Sequence, residues 1–400
     1  MGREDPPRGL AGIRIVAFTQ FLLGPVGAQY LSDLGADVVK VENPHAGAWE
    51  RSWAGGDAFV EGVSAFFLLS HRNVRSVALD LKRPAGRAAA LRLIEHADVV
   101  IENFRPGVME SLGLGYDDVR GGNPSLVYAS ASGFGADSPF RALPGQDLLM
   151  QALTGLTAAT GSAEQAPVAA GAPVVDQHAA ALLAMGVLAA LVHRERTGEG
   201  QHVAVNMLQA GLDLQTEPVT YHLNGSRIAA TQEPLGSAFH AAPYGLYPTR
   251  DGHVAVSLST VAALRAALDG APELEPFEDP ALAISQRDAI YRALAGVLAP
   301  WGTEELVAKL RAAGVWCAPV NDYDAVFADD AVRAVDPVVE LDHPEAGPIK
   351  LLRHPISYSA LDTSVRTPPP ALGQHTREAL AEVGCSEQQL AELTDSGVTP

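Results

Sequence analysis

This sequence predicts an α/β fold: a large domain built on a Rossmann-like open sheet, with a smaller α+β domain after it. Three observations predict it. Short apolar runs bounded by turn residues alternate with helix-length stretches through the first part of the chain, the signature of βαβ units. Those runs are apolar throughout, as in strands covered on both faces. Beyond Gly198 the alternation gives way to a turn-containing segment and then to Ala- and Leu-rich helical stretches. The bounds expected from these shifts are 1–225 for the large domain and 226–335 for the small one. Residues 336–400 are expected to form a linker and a C-terminal segment returning to the large domain.

The first strand is expected over 13–18, bounded by Gly12. Gly24-Pro25 opens a helix through Leu34, with Pro in the first turn, and Gly35 ends it. Residues 37–41 form the next strand and complete a βαβ unit, a topology that places ligands beyond strand C-terminal ends. A second unit follows: a strand over 76–81, a helix over 84–96, and a strand over 98–102 running into Asn103-Phe104-Arg105-Pro106-Gly107. Residues 126–130 form a further strand that leads to Ser132-Gly133-Phe134-Gly135. The longest apolar run, 179–192, reads as a buried core helix and is too short to span a bilayer. A strand over 201–205 and a helix over 207–214 follow; 225–237 is polar and loop-like. Asp251-Gly252 marks a hairpin turn.

Composition narrows the function. The 400 residues suffice for two domains, and 47% hydrophobic with 19% charged residues is globular composition. A net charge of -19 argues against nucleic acid as a bulk partner but leaves room for an anionic ligand in a local basic pocket. Two cysteines make no disulfide framework. With the polar stretch 1–8, which lacks the apolar region of a signal peptide, they point to a reducing cytoplasm and no membrane association.

Familiar chemical motifs are absent. The first loop, Thr19-Gln20-Phe21-Leu22-Leu23-Gly24-Pro25, lacks the dinucleotide glycine fingerprint. The twelve histidines show no HExxH spacing, and His71, His178 and His193 read as surface or helix-end residues. Ser132-Gly133-Phe134-Gly135 is not a nucleophile elbow. Arg72, Arg75, Lys82 and Arg105 lie near strand ends, either as solvated charges or as a cluster for the phosphates of a large anion. Asp176 stands at the mouth of the apolar helix. It reads either as an N-cap or as a carboxylate nucleophile kept ionised by the helix N-terminus.

The ordered motifs carry a resemblance. They run through Leu10-Ala11-Gly12-Ile13-Arg14-Ile15-Val16, Gly24-Pro25 and Leu34-Gly35-Ala36-Asp37-Val38-Val39-Lys40-Val41-Glu42. They continue with Leu79-Asp80-Leu81-Lys82, Asp98-Val99-Val100-Ile101-Glu102-Asn103-Phe104-Arg105-Pro106-Gly107, Asn123-Pro124, Arg196-Thr197-Gly198-Glu199-Gly200-Gln201 and Leu372-Gly373-Gln374-His375-Thr376. In this order and spacing the chain resembles the family III CoA-transferases, which include formyl-CoA and carnitine CoA-transferases and the α-methylacyl-CoA racemases. The resemblance implies that Asp176 is the nucleophile. It implies CoA contacts at Leu79, Lys82, Asn103, Phe104 and Arg105, and Arg75 joins these as a phosphate-holding cation. Coenzyme A or an acyl-CoA is then a substrate, a small carboxylic acid its partner, and no cofactor or metal is tightly bound. An interlocked homodimer is implied, with linkers near Gly225 and over 344–348.

Two further positions bear on the reaction. Racemases of this family carry a Gly-His-Asp segment, and here it is Gly145-Gln146-Asp147. Gln exchanges no proton at neutral pH, so transfer is favoured over two-base proton chemistry. Leu22, Gln146 and Asp147 are assigned to the acyl pocket, with Leu22-Leu23 where formyl-CoA transferases have a Gln. The apolar loop hints at a larger or less polar acyl group. The remaining alternatives are a 2-methylacyl-CoA racemase or epimerase and a non-catalytic CoA-binding protein.

Overall fold

The structure is a computed structural model that describes residues 7–165, 167–227 and 231–400. Residues 1–6 of the polar N-terminal stretch and 228–230 of the loop expected over 225–237 lie outside the described residues. The chain forms two compact units: 1–150, 173–214 and 337–400 make the first, and 151–172 with 215–336 the second. The boundary expected at 225 therefore falls at 214, and the helix Thr216–Leu223 goes with the second unit.

The first unit is an open parallel sheet. Its strands are β1 (Arg14–Phe18), β2 (Asp37–Glu42), β3 (Val74–Ala78), β4 (Val99–Glu102), β5 (Val127–Ser132) and β6 (His202–Asn206), in the order β3-β2-β1-β4-β5-β6. The order reverses between β1 and β4, the switch point at which open α/β sheets bind ligands. Neighbouring residues of each strand face opposite sides of the sheet, so continuous apolar runs feed two cores. Ile15, Ala17, Val99 and Ile101 enter one with helices α1 (Leu23–Asp33) and α4 (Val174–Thr197). Val16, Phe18 and Val100 enter the other with α2 (Pro84–Glu95) and the C-terminal segment around Leu380 and Leu390.

α4 is longer than the apolar run within it. It ends at Gly198, whose φ of 77° suits glycine and whose N–H donates to the Arg194 carbonyl. Among the described residues it is the one helix long and apolar enough to cross a membrane by length and composition; its Val175, Ala179, Leu183 and Val187 lie in the core. Residues 344–348, expected as a linker, belong instead to an antiparallel hairpin, Val338–His343 with Gly347–Leu352: 344–346 form its turn and 347–348 start its second strand. The second unit has a three-stranded antiparallel sheet, including the hairpin turned at Asp251-Gly252, packed on helices such as Arg287–Leu298 and Thr303–Ala312.

Candidate active site

A cavity of about 310 Å³ opens at the switch point, beyond the C-terminal ends of β1 and β4. Loop 19–22 leaves β1 on one side and 103–106 leaves β4 on the other. Asn103 ties them together: its Oδ1 accepts from the Gln20 N–H at 2.9 Å and its Nδ2 donates to the Gln20 carbonyl at 2.8 Å. Its amide is thus held by protein while its surface lines the cavity. Phe104 and Arg105 also line it, and Arg105 is exposed to solvent there.

The far wall comes from β5 and the start of α4. Gly133 and Gly145 cross so closely that a Cβ on Gly133 would stand 2.6 Å from the Gly145 Cα, and one on Gly145 2.3 Å from the Gly133 Cα. Only glycine at both positions permits this crossing, which brings Gln146 into the cavity lining and starts helix α3 (Asp147–Leu153) beside α4.

Asp176 lines the cavity and is 5% exposed. It is not the cap of α4: Pro173 holds that position and Asp176 lies within the first turn. The capping acceptor is Asp147, whose Oδ1 takes the N–H groups of Val175 at 2.8 Å and Asp176 at 3.0 Å. Those two amides are therefore committed and do not form an oxyanion hole. Burial first, and then the charge of Asp147, push the Asp176 carboxyl up to about 7. Burial and Asp147 thus oppose the ionised form that the helix mouth was expected to favour.

The cavity gathers Leu22, Asn103, Phe104, Arg105, Gln146 and Asp176. It does not gather the remaining candidates. Arg75 sits at the opposite end of the sheet, bidentate to Asp37 and paired with Glu382, where a phosphate would have to displace both. Arg72 is 3% exposed, locked to Asp33 and donating to the Leu352 carbonyl. Leu79 is 1% exposed, its side chain committed to the core. Lys82 is exposed beyond β3 and outside the lining, and Asp147 caps α4 from outside it.

Sequence reasoning missed the aromatic wall. Phe21, at a φ of 66°, stacks on Trp49 with ring centroids 4.9 Å apart, and both line the cavity. It also placed His71 on the surface, whereas His71 is 1% exposed. Trp49 and Trp53 lie in a segment remote in sequence from 19–22, and nothing in the sequence signals this contact. Among the described residues no group of three or more His, Cys, Asp or Glu side chains is arranged to hold a metal ion.

A family model described as CoA-transferase family III matches residues 10–376. The succinate–glutarate CoA-transferase of Agrobacterium fabrum is 31% identical over 97% of this chain and 98% of its own length. A Mycobacterium tuberculosis protein named "Probable fatty acyl-CoA transferase Rv3272" is 34% identical over 95% of this chain and 100% of its own. The crystal structure of a CAIB/BAIF family protein from Brucella suis aligns with a TM-score of 0.82 at 29% identity, covering 94% of this chain and 100% of that one.

Proposed function

Because the chain belongs to the family III CoA-transferases, and so moves CoA from an acyl-CoA to a carboxylic acid, we propose that it does so through covalent intermediates on Asp176. The observation that carries this reading is a carboxylate 5% exposed at the wall of the switch-point cavity. In its ionised form it attacks the donor thioester carbonyl. The C–S bond breaks, leaving a mixed aspartyl anhydride and the CoA thiolate. The thiolate attacks the Asp176 carbonyl, releasing the donor acid as its carboxylate and forming an aspartyl-CoA thioester. The acceptor carboxylate attacks that thioester and gives a second mixed anhydride and the thiolate. Thiolate attack on the acceptor carbonyl then yields the new acyl-CoA and restores the Asp176 carboxylate.

Desolvation raises the energy of the ionised Asp176, which favours its conversion into neutral anhydride and thioester. Arg105, exposed at the cavity, is placed to meet the CoA phosphates, and Phe104 offers a face to the adenine. Leu22 and Gln146 shape the acyl side. The relatives' names span small dicarboxylic and fatty acyl groups, so the acids of this chain are a matter for its own cavity.

A second reading, epimerisation of a 2-methylacyl-CoA, draws on the Asp176 carboxyl at about 7, a range suited to proton exchange. It needs a partner base, and Gln146 at the cavity supplies none. Deuterium uptake at Cα from heavy water without an acceptor acid would establish it. For transfer, incubation with acyl-CoA and then hydroxylamine should modify the Asp176 peptide, and Asp176→Asn should abolish both modification and turnover. An unmodified peptide during active turnover refutes the covalent route.

The working form we propose is an interlocked homodimer; exposed Leu143, Leu148 and Leu149 support a covered surface in the assembly. Sedimentation at micromolar concentration tests it. A cytoplasmic setting is supported by the free Cys317 and Cys385.

A further inference from the structure

Outside the cavity, the first unit buries a charged cluster that the transfer chemistry does not use. Lys40, on β2, is 2% exposed, Glu50 0% and His71 1%. The Lys40 Nζ has three partners for its three donors: the Thr19 carbonyl at 2.9 Å, Glu50 Oε1 at 2.6 Å and His71 Nε2 at 2.8 Å. The His71 Nδ1 faces the Phe67 carbonyl at 2.9 Å, to which it donates, so Nε2 carries the lone pair that accepts from Lys40. Burial, and then the neighbouring Lys40 charge, hold the imidazole well below its ordinary pKa, consistent with that neutral form. Desolvating such a cluster is unfavourable, and buried ion pairs in general add little net stability over well-packed apolar residues.

The cluster acts on one loop. Lys40 grips the carbonyl of Thr19, and Glu50 Oε2 accepts the N–H of Phe21 at 3.0 Å. At the second of these grips Phe21 adopts a φ of 66°, a conformation unfavourable for a residue with a Cβ. That conformation places its ring against Trp49 at 4.9 Å, Trp53 at 5.6 Å and Phe66 at 5.2 Å. Glu50 directly follows Trp49, so a single carboxylate joins both sides of the stack.

We propose that Lys40, Glu50 and His71 are positioning residues that lock Phe21 against Trp49 as a rigid aromatic wall beside Asp176, and that this wall selects apolar and aryl acyl groups. Phe21, Leu22, Leu23, Trp49, Leu143 and Met207 give the cavity its apolar lining. A preformed aromatic face binds a flat acyl group without first ordering the loop. The proposal rests on the acyl-CoA-binding reading of the cavity and not on the covalent chemistry of Asp176.

The test uses two unreactive thioethers, S-benzyl-CoA and S-methyl-CoA, with affinities read by calorimetry on the full chain. The wild-type protein should bind S-benzyl-CoA at least about ten-fold more tightly. Lys40→Met with Glu50→Leu removes the pair and leaves the Phe21 N–H without its acceptor, and the preference should fall to about two-fold or less. Lys40→Met with Glu50→Gln keeps an acceptor for Phe21 and should restore it. A ratio that stays constant across both folded variants, or tighter wild-type binding of S-carboxypropyl-CoA than of S-benzyl-CoA, overturns the proposal. Should neither variant fold, hydrogen exchange at the wild-type Phe21 amide decides: strong protection supports the lock and rapid exchange overturns it. Failure of covalent labelling at Asp176 would change none of these readouts, so the two readings fail separately.

Discussion

The Asp147 carboxylate accepts the Asp176 N–H at 3.0 Å, so the acid that caps α4 also presses its charge on the acid proposed to attack the substrate. Helix start and reactivity are thereby joined through one side chain. Asp147→Asn keeps the oxygen acceptor and removes the charge. The Asp176 carboxyl should then fall from about 7, although burial, the larger cause, will keep it above the ordinary carboxylate range. Attack needs the ionised form, so wild-type kcat/KM should rise as pH increases through about 7. In the variant that midpoint should move to lower pH. Identical profiles for the two proteins would show that Asp147 does not set the titration.

The same shift has a consequence for stability. The folded protein holds the Asp176 proton more tightly than the unfolded chain, where the carboxyl returns towards 3.8. The stabilisation linked to that proton is fully present below about pH 4 and is lost as pH rises through about 7. At pH 8 the ionised, buried group costs on the order of 2–4 kcal/mol. Asp176→Asn, uncharged at every pH, should therefore melt above the wild type at pH 8, with the difference shrinking towards pH 4. Paired thermal melts across that range check it. A constant difference would mean that the carboxyl is not raised.

Arg105 and Arg75 separate binding from scaffold. Arg105→Ala should raise KM for acyl-CoA about ten-fold with little change in melting temperature, since its guanidinium is exposed at the cavity. Arg75→Ala should leave KM unchanged and cost about 1–2 kcal/mol, because Asp37 and Glu382 lose a shared but partly solvated partner. Steady-state kinetics beside denaturant melts distinguish the two.

This contrast also marks how far the sequence could be read. Strand runs such as 13–18 and 98–102 were legible because two-sided burial leaves continuous apolar stretches. Asn103 and Arg105 were legible because they directly follow such a strand and topology puts that point at the switch. Arg75 shows the limit: it lies at the start of a strand of the parallel sheet and so at the end away from the cavity, and the partners that hold it there, Asp37 and Glu382, come from distant parts of the chain. Lys40 read only as part of a strand motif, because Glu50 and His71 reach it from outside that strand. The positive φ of Phe21 had no glycine or asparagine to announce it.

The Gly133–Gly145 crossing supplies the last prediction. A Cβ at Gly133 would meet the Gly145 Cα at 2.6 Å and its N at 3.1 Å, which are backbone atoms that no rotamer change can move. Gly133→Ala must push the end of β5 and the segment before α3 apart, at a cost of about 1–3 kcal/mol. The displaced segment carries Gln146 into the lining and Asp147 onto α4, so Asp176 should lose its set position before the fold is lost. At a temperature where the variant remains folded, kcat should fall at least about 100-fold, the scale expected for ångström-size misplacement. CoA affinity, assigned in the proposed reading to the loop after β4, should change much less. Calorimetry with free CoA and transfer assays on the same preparation test the split, and a parallel loss of both would place the damage in the fold as a whole.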